Sequence, residues 1–144
     1  MKRLLVLLPL LCAFILAGCA GGPSYAEAKS SIPDLAPEKA RIVFYRTAVL
    51  GAAIQPPVRV NGDKVGTAKP KGFFVKDLPA GNYEISTATE VKRTLSVALE
   101  PGQIRYVRLN ITMGFFAGHV SPELVEPSVG ETEVMKCNFT GGQK

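Results

Sequence analysis

The chain has 144 residues, 47% of them hydrophobic, with 17 Lys or Arg, 12 Asp or Glu and a formal net charge of +5. That length fits one small domain, and so mild a charge without basic runs argues against a nucleic-acid partner, which calls for Lys and Arg gathered on one face. The one histidine, His119, has a single cysteine, Cys137, outside the first 19 residues, so a zinc site, which needs three or four Cys, His, Asp or Glu ligands, would have to be completed by carboxylates.

The first element in chain order is "MKRLLVLLPLLCAFILAGCAGG". Lys2 and Arg3 form a positive n-region, and Leu4 to Ala17 is apolar. As a helix at about 1.5 Å per residue this stretch spans about 21 Å, against a hydrocarbon core of about 30 Å. It is too short to cross comfortably and has the order of an export signal. Its end, "LAGC" from Leu16 to Cys19, resembles the lipobox of bacterial lipoproteins. That resemblance implies a signal peptide over residues 1–18, cleavage between Gly18 and Cys19, and a diacylglycerol thioether on Cys19. The covalent lipid is then the only prosthetic group expected, and no cofactor or metal is expected beside it. Ala20, where an Asp would mark retention, resembles lipoproteins sent to the outer membrane facing the periplasm.

Loss of residues 1–18 removes two basic and no acidic residues, lowering the charge from +5 to +3. It also removes Cys12, and lipid consumes Cys19, so Cys137 is left without an intramolecular disulfide partner and is expected to be a buried, unreactive thiol. Residues 19–37, "CAGGPSYAEAKSSIPDLAP", are small, polar and punctuated by proline. They read as a flexible tether, although Tyr25 could dock.

From Glu38 to Thr140 short strand-forming runs alternate with turn signals, the pattern of an all-β antiparallel sandwich of seven or eight strands. "ARIVFYR" (40–46) is apolar on both parities, as a strand covered on two sides would be. "PVRV-NGD-KVGTA" reads as a hairpin with Asn61 and Gly62 at its tip. A strand around Phe73 to Lys76 follows. After a turn at Pro79 to Asn82, another strand begins at Tyr83, with Tyr83, Ile85 and Thr87 on one face. Leu95, Val97 and Leu99 share a face in the next run, and Val107, Leu109, Ile111 and Met113 in the one after. "EVMKCNF" (133–139) reads as a last strand, and residues 141–144 as a disordered tail. No stretch shows sustained helical periodicity.

Four blocks, "ARIVFYR", "VRVNGDKVGTAKPKGFFVKDLPAGNYEISTATEV", "LEPGQIRYVRLNITMGFFAGH" and the closing "ELVE" with "EVMKC", occur in this order behind a lipobox. Together they resemble the bacterial lipoproteins grouped as Domain of Unknown Function 2846, over roughly residues 38–139. The resemblance implies an exported, lipid-anchored β-domain and carries over no catalytic or ligand-binding residues.

Chemistry has little to work with. His119 with Ser121 or Ser128 lacks both a nucleophile elbow and an acid partner. Glu123, Glu126, Glu131 and Glu133 lie in a turn-rich, solvated-looking stretch with no apolar pocket to raise a carboxyl pKa. No catalytic residue is therefore assigned and an enzyme is not expected. "MGFFAGH" (113–119) reads as a core plug, one of Phe115 and Phe116 capping the open end of the sandwich. The other phenylalanine, with Lys69 and Lys71, is the candidate binding surface. The expected function is a lipid-anchored, non-catalytic envelope module whose partners are the membrane, through its anchor, and an envelope protein or cell-wall polymer. The alternative is a carbohydrate- or peptidoglycan-binding module whose aromatic platform would draw on Phe73, Phe74, Phe115 or Phe116.

Overall fold

A computed structural model describes residues 20–115 and 118–141; the expected signal peptide and Cys19 lie outside the described residues. Among the described residues nine strands form two sheets, one of order β8-β7-β1-β4-β9 and one of order β3-β2-β5-β6. In chain order they are β1 (Lys39–Arg46), β2 (Pro57–Val60), β3 (Asp63–Thr67), β4 (Gly72–Pro79), β5 (Gly81–Ala88), β6 (Lys92–Leu99), β7 (Ile104–Met113), β8 (Gly118–Val125) and β9 (Asn138–Phe139). Two short helices, α1 (Tyr25–Ala28) and α2 (Pro127–Val134), accompany them.

The double parity of β1 has a direct structural cause. β1 is the middle strand of the larger sheet, antiparallel to β4 (Val43 opposite Val75) and parallel to β7 (Val43 opposite Tyr106). Its Ala40, Ile42 and Phe44 face the second sheet and join Val58, Ile85, Val107 and Leu109 in the main core, where Phe44 stacks on Phe74 at 4.9 Å. Val43 and Tyr45 face the other way into a second cluster with Ala28, Phe73, Tyr106, Val134 and Cys137. The larger sheet is thus packed on both faces, as its apolar strands require. The β2–β3 tip takes Asn61 at φ 49° and Gly62 at φ 89°, the positive-φ pair a tight hairpin needs.

Four sequence expectations change. First, two strand pairings are parallel, β1 with β7 and β4 with β9; between β1 and β7 the chain builds β4 and the whole four-stranded sheet. Second, residues from Ala20 onward, expected as part of a free tether, pack on the domain. Ala20 N donates to Pro70 O at 3.1 Å, Phe139 N donates to Pro23 O at 2.7 Å, and Asn138 Nδ2 donates to Ala20 O at 3.0 Å. Tyr25 meets Phe73 edge-on at 5.2 Å and Ala28 is fully buried. The glutamate of α1 closes its first turn by accepting from both the N–H and the hydroxyl of Ser24. Docking needs few large side chains because the backbone comes so close: a Cβ on Gly22 would lie 1.8 Å from Phe139 O.

Third, the expected closing strand is α2 followed by the two residues of β9. Pro127 at the start of α2 suits a first helical position, where its missing N–H has no intrahelical role. The buried side of α2 is Gly130 and Val134, one turn apart, too slight a pattern to register as helical amphipathicity. Cys137 is nonetheless buried, as expected, with its thiol donating to Arg46 O at 3.5 Å and burial pushing its pKa up to about 11. Fourth, the stretch expected to be turn-rich is ordered, Glu123 lying in β8 and Glu131 and Glu133 on α2. Pro122 sits opposite Leu109 in that strand, tolerated because β8 is the sheet edge and needs no N–H on its outer side.

Candidate functional site at one end of the sandwich

Strand register gathers several loops at one end. β1 finishes where β4 begins, with Arg46 opposite Gly72, and β9 begins at the same level, with Asn138 opposite Gly72. β7, parallel to β1, ends there and turns into β8, with Met113 opposite Gly118. From the second sheet Thr87 donates its hydroxyl to Val120 O, and Thr89 Oγ1 lies 3.2 Å from His119 Nδ1, so the β5–β6 turn reaches the same end. Ala20 joins the domain here too, on Pro70 between Lys69 and Lys71.

Arg46 organises this end. Its side chain is fully buried, and its guanidinium donates to four carbonyls: Leu50 at 2.7 Å, Gly51 at 3.0 Å, Ile54 at 2.7 Å and Ala68 at 2.9 Å. No carboxylate pairs with it among these partners. Burial lowers its pKa from the ordinary value, yet arginine remains charged at any physiological pH. A buried cation is costly unless its donors are satisfied, and both terminal nitrogens of Arg46 are, while its Nε has no partner among the described residues. Here the acceptors are the backbone of the 47–56 loop and of the β3–β4 turn, so one side chain fastens both.

The fastened loop closes the sandwich. Ile54 packs against the main core, so close to the β8 start that a Cβ on Gly118 would lie 2.6 Å from its Cδ1. Ile54 thus closes this end from the 47–56 loop, and of the two phenylalanines of "MGFFAGH", one expected to cap the core and the other to face out, Phe115 is the outward one at 95% exposed. Phe116 lies outside the described residues. Met113, expected inside, is 62% exposed, since β7 runs past the last core layer at Ile111. His119, expected to stand without partners, is half-buried beside Thr89.

Of the nine exposed large apolar side chains among the described residues, six occupy this end: Val49, Leu50, Val91, Met113, Phe115 and Met135. Lys69 and Lys136 are exposed beside them and Lys71 is half-buried. Of the candidate surface named from sequence, Phe115, Lys69 and Lys71 thus share one end of the fold, on two different loops. The apolar loop residues and Arg46 were missed. The available signal was "VLG" at 49–51, an apolar pair outside any alternating run.

The other chemistry-bearing residues are structural. Glu133, expected to be solvated, accepts from Tyr45 Oη at 2.6 Å and from Arg108 Nη1 at 2.7 Å, while Arg108 also bridges to Glu123. This network pins α2 to the sheet. Burial, with the Glu133 carboxylate as a second cause, raises the Tyr45 pKa. A cleft of about 240 Å³ lies between the N-terminal segment and the sheet, lined by Tyr25, Ile32, Arg41 and Tyr106 among others. It is smaller than most ligand pockets, and Arg41 is already held bidentately by Asp77 at 2.6 and 2.7 Å. Phe73 and Phe74 are buried and unavailable to an aromatic platform. Among the described residues no three His, Cys, Asp or Glu side chains converge as a metal site, and no helix is long and apolar enough to cross a membrane.

Comparison with known proteins agrees with this architecture of unassigned chemistry. A family model described as a protein of unknown function, DUF2846, matches residues 36–121. The chain belongs to the DUF2846 family. The matched span runs from just before β1 into β8, so it takes in both sheets and the loops of this end, while α2 and β9 fall outside it. An uncharacterized protein of Haemophilus influenzae is 28% identical over 132 residues, covering 88% of this chain and 79% of that protein.

Proposed function

We propose that this DUF2846 member is a lipid-anchored lipoprotein of the cell envelope, held at the outer membrane on its periplasmic side, whose sandwich is a non-catalytic interaction module. The observation that carries the reading is the "LAGC" motif at Leu16 to Cys19, in the correct order behind Lys2, Arg3 and a short apolar run. Diacylation with a further acyl chain gives stable anchoring, each buried methylene contributing about 0.8 kcal/mol. A non-catalytic role accords with the way the titratable groups are used: Glu133, Arg108 and Arg41 are engaged in fastening secondary structure. For a protein partner the sandwich offers the outer edge of β6, which no described strand pairs and which can accept an added strand. The glycan-platform alternative has less support, because two of its four phenylalanines are inside.

The test is metabolic labelling with a palmitate analogue in the native host, for the wild type and Cys19→Ala, followed by membrane flotation. The wild type is expected to take up label and float, and Cys19→Ala to do neither. A Cys19→Ala chain that is still membrane-bound and normally processed would falsify the anchor.

A further inference from the structure

Resting on the lipid-anchor reading, we infer that the end of the sandwich where Ala20 enters is a membrane-contact surface. Val49, Leu50, Met113 and Phe115 enter the bilayer interface, and Lys69 and Lys136 meet the phosphates of anionic phospholipids. Three independent features converge on it.

The first is distance. A free tether of residues 20–37 would hold the domain about 20–25 Å from its lipid on average. Instead Ala20 is hydrogen-bonded at both its N–H and its carbonyl, to Pro70 and by Asn138. Consecutive Cα atoms are about 3.8 Å apart, so an acyl group on Cys19 is attached one residue from the folded surface. A domain so tightly leashed has its Ala20 end at the headgroups.

The second is polarity. Exposed apolar side chains concentrate at this end: Leu50 is 60% and Phe115 95% exposed. The opposite end, made of the β2–β3 tip, the β4–β5 turn, the β6–β7 turn and the β8–α2 junction, carries Asn61, Asp63, Lys64 and Glu100, all exposed, and its exposed large apolar side chains are three, Ile104 at 42%, Leu124 at 37% and Val129 at 42%, against six at the Ala20 end. Clustered exposed apolar groups mark contact surfaces, and ones that flank a lipid attachment match the layer between headgroups and acyl chains.

The third is charge. Lys69, Lys71 and Lys136 border Ala20, and Lys92 and Arg93 stand at the β5–β6 turn, with Glu90 as the acidic residue of that turn. Lys92 is partly neutralised by Glu84 at 2.9 Å. The rest favour an anionic bilayer, where basic groups near the surface add to apolar insertion.

The experiment uses the full lipidated protein reconstituted into vesicles of phosphatidylethanolamine with phosphatidylglycerol, doped with lipid brominated on its acyl chains. The chain has no tryptophan, so Phe115→Trp and Ile104→Trp each report from one end. Both positions are exposed, and neither variant disturbs the core. Bromolipid is expected to quench the tryptophan at 115 by about twofold or more and to leave the one at 104 unchanged. Adding Lys69→Glu with Lys136→Glu, or replacing phosphatidylglycerol by phosphatidylcholine, is expected to reduce that quenching. Equal quenching at both positions, or none at either while the protein floats with the vesicles, overturns the surface. Quenching at 115 that ignores both the lysine changes and the lipid charge overturns its anionic component. Mass spectrometry of the same sample separates the two readings: a chain without an acyl group fails the anchor, and the surface with it.

Discussion

Replacing Arg46 by methionine removes a buried cation and takes the charged donor from four carbonyls in one step, leaving Gly51 O with the Ile54 N–H. Two effects oppose each other. The fold no longer bears the desolvation cost of a guanidinium with no carboxylate partner, and in some proteins buried charges have been replaced by apolar residues without loss. Against that, the carbonyls of Leu50, Gly51, Ile54 and Ala68 lose their charged donor. A hydrogen bond to a charged group contributes about 1.5–3 kcal/mol, and an orphaned buried acceptor costs about 1–3 kcal/mol. Water can reach the 50–54 carbonyls once the loop loosens, whereas the bond to Ala68 O is fully buried. The second effect therefore wins, by about 3–5 kcal/mol, the range found when one partner of a buried charged interaction is removed. For a domain of this size that is a fall in Tm of about 10–20 °C. Urea unfolding followed by circular dichroism measures it. Arg46→Lys, with three donors in place of the guanidinium fork, should fall between wild type and methionine. A methionine variant within about 1 kcal/mol of wild type would show that the carbonyls are satisfied without Arg46 and that it does not organise the loop.

Two further predictions concern the second core. Glycine to alanine in a helix normally stabilises by about 1 kcal/mol, but a Cβ on Gly130 would lie 2.2 Å from Tyr106 Cγ. The expected result for Gly130→Ala is destabilisation by about 1–3 kcal/mol in the same urea titration; a stabilised variant would show that α2 can lift off Tyr106 at no cost. Cys137, with its pKa raised from 9.0 to about 11, ionises more readily unfolded than folded. Its contribution is thus fully present below pH 9 and is lost as pH rises toward 11, by up to about 2–3 kcal/mol. Cys137→Ala should abolish that part of the alkaline slope relative to wild type, and identical slopes would refute it.

What could be read from the sequence was what depends on large side chains in a short period. Ile85 and Thr87, Val97 and Leu99, and Val107 and Leu109 lie inside as their alternation requires, and the Asn61–Gly62 tip has its positive φ values. The double parity of β1 correctly implied cover on both faces without saying what supplies it. That cover comes from elements that bury little: α2 presents Gly130 and Val134, and the N-terminal segment presents Ala28, Tyr25 and the bare backbone of Gly22. Close backbone approach leaves no hydrophobic period, so a segment that docks through it looks like a linker. β8 escaped notice for a related reason, since glycine, histidine and proline interrupt an edge strand whose partner tolerates them.

The loop end was legible only in fragments, because its logic runs through the backbone. An arginine at the end of a strand reads as outward charge; Arg46 is instead drawn in by four inward-turned carbonyls, of which Gly51 O also accepts from the Ile54 N–H. Turning the Leu50 and Gly51 carbonyls inward leaves the Leu50 side chain 60% exposed, so the bonds that stabilise the loop also display its apolar residues. Among the described loop residues Ile54, four residues on from Leu50, turns inward against the main core. Val49 and Leu50 consequently stay about half exposed, and their exposure is a feature of the fold that an interface can use. Stability and display are coupled through one side chain: in Arg46→Met the Ile54 N–H, which donates to Gly51 O at 2.9 Å, should lose hydrogen-exchange protection before the sheets do.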